Sequence, residues 1–176
     1  MSALQKALAT IRDQASNTTE LGTAFERLAK VFLENDATQI QQYSKVWHYE
    51  DWAREHEGYS VKDIGIDLVA KLRDEEGYCA VQCKFYEPEH SISKADLDSF
   101  ISASSTNDFT RLMLIDTSTQ PIGKHAQSVF DKISQEYIRI QLSELEESRI
   151  DWSSYISDGT VRLHSKKNSE IIKSKH

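Results

Sequence analysis

Two short apolar runs, Ile64–Lys71 and Tyr78–Phe85, flank the turn-forming Asp74-Glu75-Glu76-Gly77. They constrain this chain more than any other feature. Each run alternates with the period of a half-buried strand, and the glycine-ended acidic break between them is hairpin chemistry. In the first run Ile64, Ile66, Leu68 and Ala70 fall on one side, and Gly65, Asp67 and Val69 on the other. In the second, Cys79, Val81, Cys83 and Phe85 oppose Tyr78, Ala80, Gln82 and Lys84. Antiparallel pairing then brings Asp67, Gln82 and Lys84 to one face. A carboxylate inside an apolar strand is costly to bury unless it is paired or binds a metal. The plainest reading of one such acid is an exposed strand face; an amide and a lysine beside it favour chemistry.

The remaining elements alternate helix and strand. Ala3–Ala15 reads as a short helix with Leu4, Ala7, Leu8 and Ile11 on one stripe. Thr19 is placed to cap a second helix that runs to about Asn35, with Leu21, Phe25, Leu28, Ala29 and Phe32 inward and Glu26 at the stripe's edge. Val46–Tyr49 suggests a strand, followed by a helical turn around Trp52. Ser93 can cap a helix over Lys94–Ser104. Arg111–Asp116 reads as a strand, Ile122–Ser134 as a helix and Tyr137–Ile140 as a short strand. This order implies an α/β sandwich with a mixed central sheet flanked by helices. The Arg111 strand, reached through a helical crossover, should run parallel to its predecessor. Residues 1–157 are expected to form the domain, with 1–18 as a helical extension. The polar, basic stretch 158–176 reads as a poorly ordered tail or linker.

Composition narrows the class. With 39% hydrophobic and 28% charged residues the chain suits a globular fold, and no window approaches the ~20 apolar residues of a membrane span. No secretory signal is seen, and a reducing cytoplasm is the expected location. Cys79 and Cys83 share a strand face but stand about 13 Å apart, too far for a disulfide. Without a neighbouring His/Cys set they do not suggest zinc. The net charge of -7 is unusual for a protein that grips DNA alone. From Val161 on, Arg162, Lys166, Lys167, Lys173 and Lys175 oppose only Glu170, so the folded part is more acidic still.

An acid, an amide oxygen and a lysine can hold a divalent ion and activate water. Magnesium takes oxygen ligands and keeps several waters. Asp67, Gln82 and the backbone carbonyl of Cys83 can supply the protein's share, with Lys84 assisting the water or the charge on the phosphate. His48 and His56 lack triad partners at a recognisable spacing, and Asp63 reads as a strand-start residue.

Asp67-x14-Gln82-x-Lys84 resembles the signature of the PD-(D/E)xK, restriction-endonuclease-like superfamily in its glutamine variant. Gly22-Thr23-Ala24-Phe25-Glu26 resembles the helix before that core in the Mrr-like branch, which implies that Glu26 completes the metal shell. Asp63–Phe100, with Ile-Gly-Ile-Asp, Val-Gln-Cys-Lys-Phe-Tyr and Lys94-Ala-Asp-Leu-Asp-Ser-Phe100, is similar to the N-terminal nuclease domains of Type ISP restriction-modification enzymes. Ile140-Gln-Leu142 and Ile150-Asp-Trp152 are also similar. The resemblance covers roughly residues 19–155. Two departures stand out: Ile66 occupies the place of the motif's proline, and Gln82 carries no charge, which gives Glu26 more weight.

The resemblance implies a Mg²⁺-dependent endonuclease domain, with Mn²⁺ able to substitute, acting on double-stranded DNA. Its catalytic set is Asp67, Gln82, Lys84 and Glu26, and its metal ligands are Asp67, Gln82, Cys83 through its backbone, and Glu26. Helicase-like and methyltransferase domains are implied in the same parent chain. By position Lys94 and Tyr86 are candidate DNA contacts. Two other readings stay open: a structure-specific nuclease of the same fold, such as a junction resolvase, and a catalytically inactive docking module.

Overall fold

A computed structural model describes residues 1–62 and 65–165. Five strands form one sheet: β1 (Tyr43–His48), β2 (Leu68–Leu72), β3 (Tyr78–Lys84), β4 (Phe109–Asp116) and β5 (Glu136–Ile140). They lie side by side in chain order. β1, β2 and β3 form an antiparallel meander, whereas β4 runs parallel to β3 and β5 parallel to β4. The mixed sheet and the parallel crossover into β4 are as the sequence pattern predicts. Eight helices were assigned among the described residues: α1 (Ala3–Gln14), α2 (Thr18–Asn35), α3 (Gln39–Gln42), α4 (Tyr49–Arg54), α5 (Lys94–Ala103), α6 (Lys124–Lys132), α7 (Leu142–Glu147) and α8 (Trp152–Asp158). None of them is long and apolar enough to cross a membrane.

Strand parity sorts the helices between two layers. Leu68, Ala70, Cys79, Val81, Met113 and Ile115 face a core built with Leu4, Phe25, Leu28, Phe32, Leu145 and Trp152, from α1, α2, α7 and α8. Val69, Ala80 and Leu112 face the opposite way, against Trp52 of α4 and Phe100 of α5. Leu114 continues that second layer against Leu97 of α5 and Ala126 and Phe130 of α6. Burying both sheet faces supplies the hydrophobic drive for the sandwich.

Several local expectations change. The cap of α2 is Asn17, whose side chain accepts from the Glu20 N–H at 2.9 Å, and not Thr19, which lies inside the helix. β2 begins at Leu68, later than the alternation suggests, so Asp67 precedes the regular strand instead of sitting within it. The parity also breaks there: Ile66 packs with Val69 and Phe100, not with Leu68 and Ala70. Gly65, at φ 99°, turns the backbone just upstream. Asp63 falls outside the described residues. The expected loose tail after Asp158 is at first a return segment: Ile150 and Leu163 form an antiparallel bridge, with Asp151 N–H donating to Arg162 O at 2.8 Å. The basic residues from Lys166 on lie outside the described part.

One buried ion pair ties the parallel half together. Asp116, at the end of β4, is fully buried. Arg139 of β5 donates to both of its carboxylate oxygens, from Nε and Nη2, at 2.9 Å each. The Ser118 N–H adds a third donor at 3.1 Å. Removing the arginine strands a carboxylate where water cannot reach it. Arg139→Ala is therefore expected to destabilise the fold by about 3–5 kcal/mol, read from urea denaturation followed by circular dichroism.

Candidate active site

The antiparallel pairing of β2 with β3 stops short of β3's end, and the site begins where it stops. Leu68 stands opposite Val81. The backbone continues one step further, with Asp67 N–H donating to Val81 O at 2.9 Å and Tyr49 N–H donating to Asp67 O at 3.0 Å. The next N–H on that edge of β3, from Cys83, meets a side chain: it donates to Asp67 Oδ2 at 2.7 Å. The Asp67 carboxylate is thereby fixed at the rim of the sheet. Along a strand the N–H and C=O of one residue point to the same edge, so the Cys83 carbonyl faces the Asp67 side too.

Gln82 is buried, with 5% of its surface exposed. Its Nε2 donates to Gly65 O at 3.3 Å. A carbonyl can only accept, so this contact fixes which end of the amide is nitrogen. Oε1 is the other end, and among the described residues it has no hydrogen-bond partner. A buried oxygen left unpaired costs on the order of 1–3 kcal/mol, so an electropositive ligand is the natural occupant of the space before it.

An open cleft of about 710 Å³ collects these groups. Glu26, Gly65, Asp67, Gln82, Cys83, Lys84, Tyr86 and Asp96 all line it. Glu26 arrives from α2, across the sheet end, and Lys84 from the last position of β3. The four proposed catalytic side chains are thus brought to one cavity. The Cys83 thiol lies on the α2 side of the sheet, packed against the core. Burial first, then the negative charges of Asp67 and Glu26, hold that thiol well above its ordinary range and protonated at neutral pH. Cys83 can therefore offer its carbonyl but not a thiolate. Among the described residues no group of three or more His, Cys, Asp or Glu side chains is placed to hold a metal. Any ligand set here must draw on the Gln82 amide and a backbone carbonyl besides the two acids.

The two DNA-contact candidates part company. Tyr86 lines the cleft. Its ring stacks on His90 with centroids 3.9 Å apart. Burial, followed by the charge of Asp96, raises its hydroxyl pKa. Lys94 is not among the cleft's lining residues; it is exposed on the first turn of α5, with its ammonium 3.0 Å from Asp98. Asp96 is a wall residue that sequence reading missed. It is bound to Ser93 through a capping box and to His90 Nε2 at 3.1 Å. The capping pattern from Ser93 was legible; the cleft beside it was not.

Residues 34–161 match the Mrr_cat_2 family, described as a restriction endonuclease. The chain belongs to that family. The matched range contains Asp67, Gln82 and Lys84; Glu26 lies before it. Among solved structures, the "ATP-dependent Type ISP restriction-modification enzyme LlaBIII bound to DNA" is similar, with a TM-score of 0.68 and 27% identity. The similarity covers 86% of this chain and 10% of that one, so the chain spans about a tenth of that enzyme. No curated protein matches the sequence. The fold is restriction-endonuclease-like, and the chain is a restriction endonuclease domain similar to the nuclease region of the Type ISP enzyme.

Gly65 gives the site's backbone a sharp test. A Cβ built there meets the backbone of α5, at 2.8 Å from Ser99 C and 2.9 Å from Phe100 N. Its φ of 99° is also a conformation that side chains rarely adopt. Gly65→Ala should cost about 1–3 kcal/mol and should loosen the Gln82 contact. The expected result is a lowered urea midpoint together with reduced nuclease activity.

Proposed function

We propose that this domain hydrolyses phosphodiester bonds in DNA with a divalent cation, Mg²⁺ or Mn²⁺, and that its active site is the cleft holding Glu26, Asp67, Gln82 and Lys84. The observation that carries the reading is Gln82: its Oε1 is buried and unpartnered among the described residues, and the residue lines a cavity that two carboxylates and a lysine also line. Asp67, Gln82 through Oε1, Glu26 and the Cys83 carbonyl would hold the ion. Bound there, it would supply Lewis-acid charge and a more acidic water.

The chain's own groups do the rest. The Cys83 N–H fixes the Asp67 carboxylate, so no reorganisation is needed when substrate arrives. The Gln82 amide nitrogen, tied to Gly65, holds the amide in one orientation. Among the described residues the Lys84 ammonium makes no ion pair, so it is available to the attacking water and to the charge growing on the phosphate. Water's oxygen adds to phosphorus as the bond to the leaving oxygen breaks, and no covalent enzyme intermediate forms.

The resemblance to a small part of a DNA-bound, ATP-dependent enzyme supports a larger setting. In it the parent chain also carries helicase-like and methyltransferase parts, which deliver and select the DNA. A net charge of -7 fits a domain that receives its substrate in this way. Lys94 and Tyr86 remain proposed DNA contacts, Tyr86 at the cleft wall and Lys94 on the neighbouring helix start.

Plasmid nicking by the purified chain tests the mechanism. Cleavage should require Mg²⁺ or Mn²⁺ and stop with chelator. Asp67→Ala and Lys84→Ala should each lower the rate at least ~100-fold while circular dichroism shows an intact fold. Gln82→Glu should keep more activity than Gln82→Ala, because it retains an oxygen ligand. Wild-type-like nicking by folded Lys84→Ala would falsify the mechanism.

Duplex binding gives a separate check on where specificity resides. The chain alone should bind without sequence preference, with Kd on the order of 10⁻⁴–10⁻⁶ M at physiological salt. A tight complex with one particular sequence would place target recognition in this domain and overturn the assignment of that role to other parts.

A further inference from the structure

The catalytic acids stand between two cavities, and the mechanism uses only one. On the far side of Glu26 and Asp67 lies a second open cavity of about 570 Å³, lined by both acids, by Thr23, Arg27 and His48, and by Glu50 and Asp51, which Arg54 pairs. Thr18, Gly22, Glu26 and Asp67 border both spaces, so the two form one groove across the end of the sheet. Lys84 faces the first half. Arg27, one residue beyond Glu26 on α2, faces the second.

Several features of this second half point to a phosphate. Arg27 is exposed, and among the described residues it makes no ion pair. Other arginines of the domain are engaged: Arg12 with Glu87, Arg54 with Glu50 and Asp51, Arg111 with Glu136, and Arg139 with Asp116. Arg73, Arg149 and Arg162 also make no ion pair among the described residues, but they line neither cavity, so Arg27 is the guanidinium at the rim of this acidic groove. Its field reaches the neighbouring imidazole. Burial first, then Lys30, with Arg27 adding after the opposing Asp51, lowers the His48 pKa, and Glu34 opposes it weakly. His48 is thus a neutral N–H donor at neutral pH and adds no charge. Thr23 contributes a hydroxyl one turn before Arg27 on α2. A cation, a hydroxyl and an imidazole N–H around one space form a donor set for a singly charged diester.

We propose that this second cavity holds the DNA phosphate next to the scissile one, with Arg27 as its principal contact and Thr23 and His48 as supporting donors. The inference rests on the cleft being the nuclease site. It adds a residue that grips substrate without touching the reacting atoms, and it assigns the strand's path along the groove.

The test is duplex binding, kept apart from cleavage. A fluorescently labelled 20-base-pair duplex is titrated in Mg²⁺, by anisotropy, with the Lys84→Ala chain so that the DNA stays intact. Adding Arg27→Ala should weaken binding about tenfold. It should also reduce the slope of log K against log salt by about one phosphate contact. Arg27→Lys should recover part of the affinity, and Lys6→Ala, at an exposed position on α1, should change neither quantity. Unchanged affinity and slope for Arg27→Ala overturn the proposal even if wild-type nicking proves the active site correct. So does a loss that Arg27→Lys fails to recover, or one accompanied by a changed circular dichroism spectrum. If Asp67→Ala and Lys84→Ala nick DNA like wild type, the active-site reading itself fails.

Discussion

The hydrogen bond from the Cys83 N–H to Asp67 Oδ2 is the interaction on which the site depends. In a continuous hairpin that N–H would meet a carbonyl of the partner strand. Here the backbone turns at Gly65 before the ladder can extend, and a carboxylate takes the carbonyl's place. One bond thus closes the sheet and orients the proposed catalytic acid. It also couples Asp67 to the two side chains flanking Cys83, because Gln82 and Lys84 leave β3 on the opposite face from the Cys83 thiol. Displacing the Gly65 turn would affect Asp67 through the chain and Gln82 through its bond to the Gly65 carbonyl.

Strand content and parity were legible because they rest on short-range pattern. The hairpin and the parallel step into β4 follow from alternation and connection length. The break at Ile66 was not legible. Alternation read from side chains assumes an extended, paired backbone, and the regular strand starts only at Leu68, leaving Ile66 outside it. Thr19 and Asn17 are both good caps, and choosing between them needs to know where the preceding chain turns. The Arg139–Asp116 pair was hidden for another reason. Both residues end strands where solvent is the default expectation, and only tertiary packing buries them.

Of the site, the three β-hairpin residues could be read from spacing, but Glu26 could not. It lies far from Asp67 in sequence, and its entry into the cleft depends on how α2 crosses the sheet end. Resemblance supplied that candidate, and the family match, which starts at residue 34, does not include it. Lys94 was read from its position alone. It occupies a suggestive helix start, yet its ammonium pairs with Asp98 and it does not border the cleft. Arg27 carried no sequence signal, since a basic residue on an amphipathic helix is ordinarily a solvated one.

Charge distribution gives the glutamine at position 82 a physical rationale. Asp67 and Glu26 already raise the pKa of the neighbouring thiol, so the local potential is negative before any ion binds. A third carboxylate in a place only 5% exposed would add repulsion in the ion-free protein. It would also lose the donor that holds the Gly65 carbonyl. The amide avoids both costs: its nitrogen secures the turn and its oxygen remains as a neutral ligand. The consequence is a site with weaker intrinsic pull on a cation than three acids would have. In the proposed mechanism substrate phosphate would then supply part of the ion's coordination and link metal binding to DNA arrival. Such a site would stay quiet until DNA is placed in the groove, which suits the proposed setting within a larger restriction enzyme, where cutting waits for delivery.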